Sequence, residues 1–230
     1  MRDLDTIAVV GPGRLGTALS AALRGASLDV QGPLRRGETP DRPVTLVLLC
    51  VPDGAIAAAA RAVPPGPVVG HCSGATTLEP ITAAGHPAFS LHPLMTVPAR
   101  GVTTFEGAGA AVAGHPAAAE LARRLKLRPI EIGDGDRAAY HAAASMASNF
   151  LITLETAAER VAATAGMTRE ALVPLVRASV ENWADQGRAA LTGPIARGDA
   201  ATVRLHRAAL RERAPELLPL YDVLAEATAA

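Results

Sequence analysis

The sequence predicts an α/β domain built on a mostly parallel, doubly wound sheet, followed by an all-α domain. Two observations carry this. In the first part of the chain, short apolar β-branched runs alternate with stretches of helical spacing, as in a parallel sheet covered by helices. After Asp134-Gly135-Asp136 the strand signals stop, and residues 137–165 contain neither proline nor glycine. The boundary is therefore expected near residue 133, with domains at 1–133 and 134–230.

The elements follow in order. Thr6–Val10 (TIAVV) is a β-branched run that stops at glycine and reads as a buried strand. Leu15–Leu23 has helical spacing, and Leu28–Val30 begins a second strand. Val44–Val51 (VTLVLLCV) is apolar almost throughout, which suits a central strand covered on both faces. Pro67–Gly70 and Ala88–Leu91 are weaker strands, and Ala108–Ala113 and Pro129–Ile132 flank a helix at Pro116–Leu125. Beyond the boundary, Asp136 is placed to N-cap one long helix over 137–165. Helices at Thr168–Asp185, Asp199–Arg213 and Pro215–Thr228 complete the chain, with Pro174 expected to kink or break the first of them.

Composition narrows the function. With 49% hydrophobic residues among 230, the chain can bury a core. Its 22 basic and 22 acidic residues balance, which argues against a nucleic-acid or polybasic membrane partner. No apolar run approaches the ~20 residues of a membrane span, and no basic-then-apolar leader opens the chain. Cys50 and Cys72 sit at interior strand ends and read as buried free thiols of a reducing compartment. A cytoplasmic protein is expected, and no metal site.

Gly11-Pro12-Gly13-Arg14-Leu15-Gly16 follows the first strand directly and opens the first helix. In that context G-x-G-x-x-G is the dinucleotide fingerprint of a Rossmann domain. Gly11 permits the tight turn, Gly13 the approach of the pyrophosphate, and Gly16 close helix–strand packing. Arg14 and Leu15 begin the helix, whose free N–H groups and dipole favour the phosphates.

The end of the second strand bears on the choice of cofactor. An NAD site usually places Asp or Glu there. Here Gln31-Gly32-Pro33-Leu34-Arg35-Arg36 follows, with no carboxylate after Val30 until Glu38. Arg35 and Arg36 suit the 2′-phosphate of NADP(H), with NAD the alternative. Asp29 lies on the strand and is expected to point elsewhere.

Val51-Pro52-Asp53 ends the central strand, and His71-Cys72-Ser73-Gly74 ends the next. Ligands of doubly wound sheets lie over such ends, so Val51, Pro52, Asp53 and Ser73 are expected to border the cofactor. A nucleophile reading of His71-Cys72-Ser73 finds no base and orienter in the sequence. On the long helix, His141, Ser145 and Asn149 recur at i, i+4 and i+8 and are expected to share one face lining a substrate cleft. A solvated polar row is the alternative.

GPGRLG, CVPDGAI, HCSGA, LHPLMT, DRAAYHAAASMASN and LTGPIARGDAATVRLH occur here in that order. In this the chain resembles proteins with a Rossmann-like domain followed by a DUF2520 domain, within the 6-phosphogluconate-dehydrogenase-like superfamily. The resemblance spans nearly the whole chain and implies an NADP-dependent oxidoreductase. It also implies, from some family members, reduction of the small 2-oxoacid ketopantoate to pantoate. Superfamily reductases carry a lysine and asparagines on the corresponding helix. By that resemblance His141 replaces the lysine, Ser145 replaces one asparagine and Asn149 matches the other. Relatives pair through the helical half, so a homodimer is implied. Relatives also place a helix and short strand where this chain has only GETPDRP, between Arg36 and Val44.

Carbonyl reduction needs a hydride from the cofactor and a proton from the protein. His141 is the expected acid, with His92 in Leu91-His92-Pro93 the runner-up, and Ser145 and Asn149 orienting the substrate. Arg197 could grip a substrate carboxylate, or pair with Asp199. An imine or 3-hydroxyacid dehydrogenase, or a non-catalytic dinucleotide sensor, are the rival readings.

Overall fold

The computed structural model describes residues 6–99 and 103–230. Residues 1–5, part of the stretch inspected for a leader, lie outside that range. Backbone contacts divide the chain into two compact units, Met1–Ser145 and Met146–Ala230.

The first unit holds a seven-stranded sheet in the order β2-β1-β3-β4-β5-β6-β7. Its strands are β1 Thr6–Val10, β2 Asp29–Leu34, β3 Leu46–Leu49, β4 Val68–His71, β5 Ala88–Leu94, β6 Gly109–Gly114 and β7 Arg128–Glu131. Neighbours from β2 to β5 pair parallel; β6 runs antiparallel to β5, and β7 parallel to β6. The helices are α1 Arg14–Gly25, α2 Ile56–Arg61, α3 Glu79–Thr82, α4 Ala117–Arg124 and α5 Arg137–Ser145.

Side-chain alternation along the strands makes the sheet doubly wound. Ile7, Val9, Leu46 and Leu48 join Leu19 and Leu23 of α1 and Leu121 of α4 in one core cluster. Ala8, Val47 and Leu49, one position out of step, join Ile56 of α2 and Ile81 of α3 in the other. Both faces are covered, which explains why β3 is apolar without interruption.

The second strand, which begins at Leu28–Val30 in the sequence, runs as β2 to Leu34. It lies at the sheet edge, where the missing N–H of Pro33 leaves no gap in the ladder. The division falls at Ser145/Met146 and not near 133. The reason is Arg137, buried at the start of α5, which donates to Ser90 Oγ of β5 (2.6 Å) and to Asp134 (2.7 Å) and so ties this helix to the sheet. Asp136 closes a one-turn 3-10 segment, Asp134–Asp136, ahead of α5.

The long helix expected over 137–165 is also interrupted. A π-helical turn, Met146–Phe150, follows α5 and precedes α6 Leu151–Ala163. A π turn accommodates extra residues per turn and so rotates whatever follows it. The second unit continues with α7 Arg169–Gln186, α8 Ala200–Arg213 and α9 Leu218–Ala229. No break occurs at Pro174, which lies inside α7. Asp199 caps α8, accepting from Thr202 N (3.0 Å). Among the described residues, α6, α7 and α9 contain no buried side chain. No helix among them is long and apolar enough to cross a membrane.

Candidate active site

The site begins where β1 meets α1. Gly11 has φ +108°, and a Cβ there would stand 2.3 Å from the Cys50 carbonyl oxygen, so only glycine fits the turn. A Cβ on Gly16 would stand 2.0 Å from the Gly11 carbonyl oxygen and 3.1 Å from Cys50 Cβ. Helix α1 is thus pressed onto the ends of β1 and β3. Gly13 differs: a Cβ there would meet nothing within 4 Å. It is the N-cap residue of α1, with no side-chain cap and no acidic residue in the first turn. Free amides at the start of a 12-residue helix, beside an open space, form an anion cradle.

That space is a cleft of about 400 Å³. Gly13, Arg14 and Leu15 line one side, and Val51, Pro52 and Asp53, just past β3, line another. Cys50, Cys72, Ser73 and Val97 complete it. Of the cofactor residues expected from the glycine loop and both strand ends, Gly13, Arg14, Leu15, Val51, Pro52, Asp53 and Ser73 therefore share one cleft, while Gly11 and Gly16 do not line it. Arg35 and Arg36 follow β2, whose Leu34 carbonyl accepts the Gly11 N–H (2.8 Å). Both arginine residues are exposed beside the glycine turn. Glu38, the first carboxylate after Val30, accepts the Arg35 backbone N–H (2.7 Å). Asp29 pairs with Arg42. The short link before β3 folds back on Gln31, whose side chain meets Asp41 N (2.8 Å) and Arg42 O (3.1 Å).

Ser73 and His71 hold the cleft's far wall. Ser73 Oγ accepts the amides of Ala75 (3.2 Å) and Thr76 (2.9 Å) and bonds Asp53 Oδ2 (2.8 Å). Its proton fixes the Asp53 carboxylate; its lone pairs are taken. His71 Nδ1 accepts Ser73 N–H (3.2 Å), so Nε2 carries the proton donated to the Thr77 carbonyl (3.0 Å). Burial lowers its pKa, consistent with that neutral tautomer. With both nitrogens engaged, His71 is an anchor, and Ser73 has no free base beside it.

Gly74 leads from this wall to three side chains. A Cβ there would lie 2.9 Å from His141 Cδ2 and 3.0 Å from His92 Cε1 and Nδ1. The two imidazoles stand 6.2 Å apart between centroids. His92 Nδ1 bonds the Tyr140 hydroxyl (2.7 Å). Burial, then the neighbouring His141, push the His92 pKa down to about 4. Burial pushes the Tyr140 phenol up. A protonated phenol thus faces a neutral imidazole. His92 is a poor proton donor near pH 7, whereas His141 is exposed.

The expected row of His141, Ser145 and Asn149 is broken in register. His141 and Ser145 lie on α5, whereas Asn149 lies in the π turn. Asn149 and Arg197 both belong to the second unit. There Arg197 donates to the Thr192 carbonyl of its own loop. Sequence reasoning missed Tyr140, Arg137 and Gly74. Arg137, a lone charge opening an alanine-rich helix, was the one legible signal among them. Among the described residues no group of three or more His, Cys, Asp or Glu side chains could hold a metal.

Residues 102–228 match the family model described as "Domain of unknown function (DUF2520)". Solved structures share the fold over almost the whole chain. A Bacteroides fragilis protein, named as a proposed NADP oxidoreductase, is 17% identical with a TM-score of 0.82, covering 100% of this chain and 99% of its own. A Streptomyces aurantiacus imine reductase is 17% identical with a TM-score of 0.64, covering 97% and 95%. An Aspergillus terreus reductive aminase, solved with NADPH and ethyl-5-oxohexanoate, is 18% identical with a TM-score of 0.67, covering 96% and 92%. No curated protein sequence matches the chain.

Proposed function

The chain belongs to the DUF2520 family, and from that premise we propose that it is an NADP(H)-dependent oxidoreductase reducing a small carbonyl or imine substrate. The glycine loop carries the proposal: Gly11 and Gly16 fit no side chain, while Gly13 opens the α1 amides to the cleft. That is the shape a diphosphate needs. Gly13, Arg14 and Leu15 would hold it, with Val51, Pro52, Asp53 and Ser73 alongside. Arg35 and Arg36, exposed next to the Leu34–Gly11 bond, would take the 2′-phosphate.

When bound, NADPH supplies the hydride. The chain supplies the rest. His141 donates the proton to the substrate oxygen or nitrogen, and Ser145, one turn further along α5, orients the substrate. His92 stays neutral and, with Tyr140, fixes the wall against which His141 packs. Among 2-oxoacids we favour ketopantoate, on the motifs shared with the family. The fold shared with an imine reductase and a reductive aminase favours a second reading, C=N reduction.

We further propose a homodimer formed through the second unit, supported by the absence of buried residues on α6, α7 and α9. A reducing cytoplasm accords with two free thiols in contact.

Oxidation of NADPH, followed by absorbance against panels of 2-oxoacids and cyclic imines, tests the function. Turnover is expected with one panel, and His141→Ala should cut kcat by about 10²-fold with NADPH binding retained. Tight NADPH binding without turnover on either panel would favour the sensor.

A further inference from the structure

We propose that Cys50 and Cys72 form a reversible redox site in the cleft floor, where a small hydroperoxide closes a disulfide that weakens dinucleotide binding. The two sulfurs lie 3.7 Å apart. The strands dictate this contact. β3 and β4 pair with Leu49 opposite His71, and Cys72 N–H donates to the Leu49 carbonyl (3.2 Å). Cys50 and Cys72 are therefore the next positions in register. Adjacent strands lie about 4.8 Å apart, within the Cα separation a disulfide spans. Both side chains line the cleft, and Cys50 is the less buried.

The chemistry balances. The Cys50 thiol gives up its proton and the thiolate attacks a peroxide oxygen; the O–O bond breaks, a sulfenic acid forms, and the departing oxygen takes up that proton, leaving as water from hydrogen peroxide or as an alcohol from an alkyl hydroperoxide. Cys72 Sγ then attacks Cys50 Sγ; the S–O bond breaks, the S–S bond forms, and the Cys72 proton leaves with the sulfenic oxygen as water. Contact with Cys50 and burial push the Cys72 thiol up, which keeps it protonated and leaves the first attack to Cys50.

The consequence for binding follows from what rests on Cys50. Its carbonyl oxygen and Cβ are the surfaces under Gly11 and Gly16. Bond formation shortens the sulfur separation to about 2.05 Å and fixes the Cys50 side chain in a new position beneath Gly16 and in the cleft floor. A dinucleotide in the cleft would cover both thiols and slow their oxidation. These binding effects rest on the dinucleotide reading; the disulfide itself does not.

The intact protein is treated with hydrogen peroxide, alkylated and weighed. The expected product is lighter by two hydrogens, about 2 Da, carries no alkyl group on either cysteine, and reverts with dithiothreitol. Cys50→Ser and Cys72→Ser should each abolish that mass change. Stepwise oxygen addition to Cys50 with Cys72 still alkylatable, or no reaction, would overturn the site. Titration with NADPH before and after oxidation should show Kd rising about tenfold and recovering on reduction. A disulfide with unchanged affinity would overturn the switch. A reduced protein that binds no NADPH would instead remove the dinucleotide reading, and the mass result would stand apart from it.

Discussion

The two units dispose of apolar side chains in opposite ways. In the first, Ile7, Leu19, Leu46, Leu48 and Phe89 are wholly buried on one face of the sheet, and Val69 and Ile81 on the other. In the second, Ile152 is 67% exposed, Leu175 and Trp183 66%, and Leu205 71%. Helices gain most of their stability by packing an apolar face, and exposed patches of this kind mark interaction surfaces. The first unit therefore buries its own apolar side chains, whereas the second leaves an apolar surface of the kind the proposed homodimer would cover.

Gly16→Val gives the largest expected effect on the self-sufficient side. The Cβ would overlap the Gly11 carbonyl, so stability should fall by more than about 3 kcal/mol, with NADPH binding lost. Gly13→Ala is the counterpart. Its Cβ enters open space, so urea denaturation should place it within about 1 kcal/mol of the parent, while NADPH affinity drops at least about tenfold. Equal stability in the two variants would contradict the division of labour drawn for the loop.

On the other side, Leu175→Arg combined with Trp183→Arg should convert a dimer to a monomer in sedimentation velocity. The Tm should fall by about 5 °C or more, because stability borrowed from the partner is lost. Gly13→Ala should leave the mass unchanged. A parent protein that sediments as a monomer at micromolar concentration would remove the dimer and leave the exposed α7 side chains without a purpose.

Legibility from sequence divides along the same line. β3 announced itself most clearly, because a strand buried on both faces must be apolar throughout, as in Leu46–Leu49. The glycine spacing was legible because it encodes backbone geometry. The boundary was misplaced because Arg137 reaches a partner 47 residues away, Ser90, and no local pattern reports that bond. The π turn hid in a stretch whose composition is as good for an α-helix, so the register between Ser145 and Asn149 could not be read. The Tyr140–His92 bond joins residues 48 apart, and a tyrosine among alanines reads only as helix filler.

Two His–Tyr pairs repeat the contrast in miniature. His92–Tyr140 (2.7 Å) lies in the first unit and His206–Tyr221 (2.9 Å) in the second, both edge-to-face. The first is partly buried and the second exposed. His92 titrates near 4 in the folded protein against 6.5 unfolded. As pH falls from 6.5 toward 4, the unfolded chain takes up the proton first. Stability is then lost, by up to about 3 kcal/mol at the acid end, and regained as pH rises. Urea titrations at pH 7 and pH 4.5 should show the drop, and His92→Gln should shrink it. At pH 7, Tyr140→Phe leaves His92 Nδ1 without its partner and should cost about 1–2 kcal/mol. Tyr221→Phe, where water can replace the hydroxyl, should stay within about 0.5 kcal/mol. Equal costs would mean that burial does not distinguish the pairs, and His92 would lose its place as a fixed wall of the site.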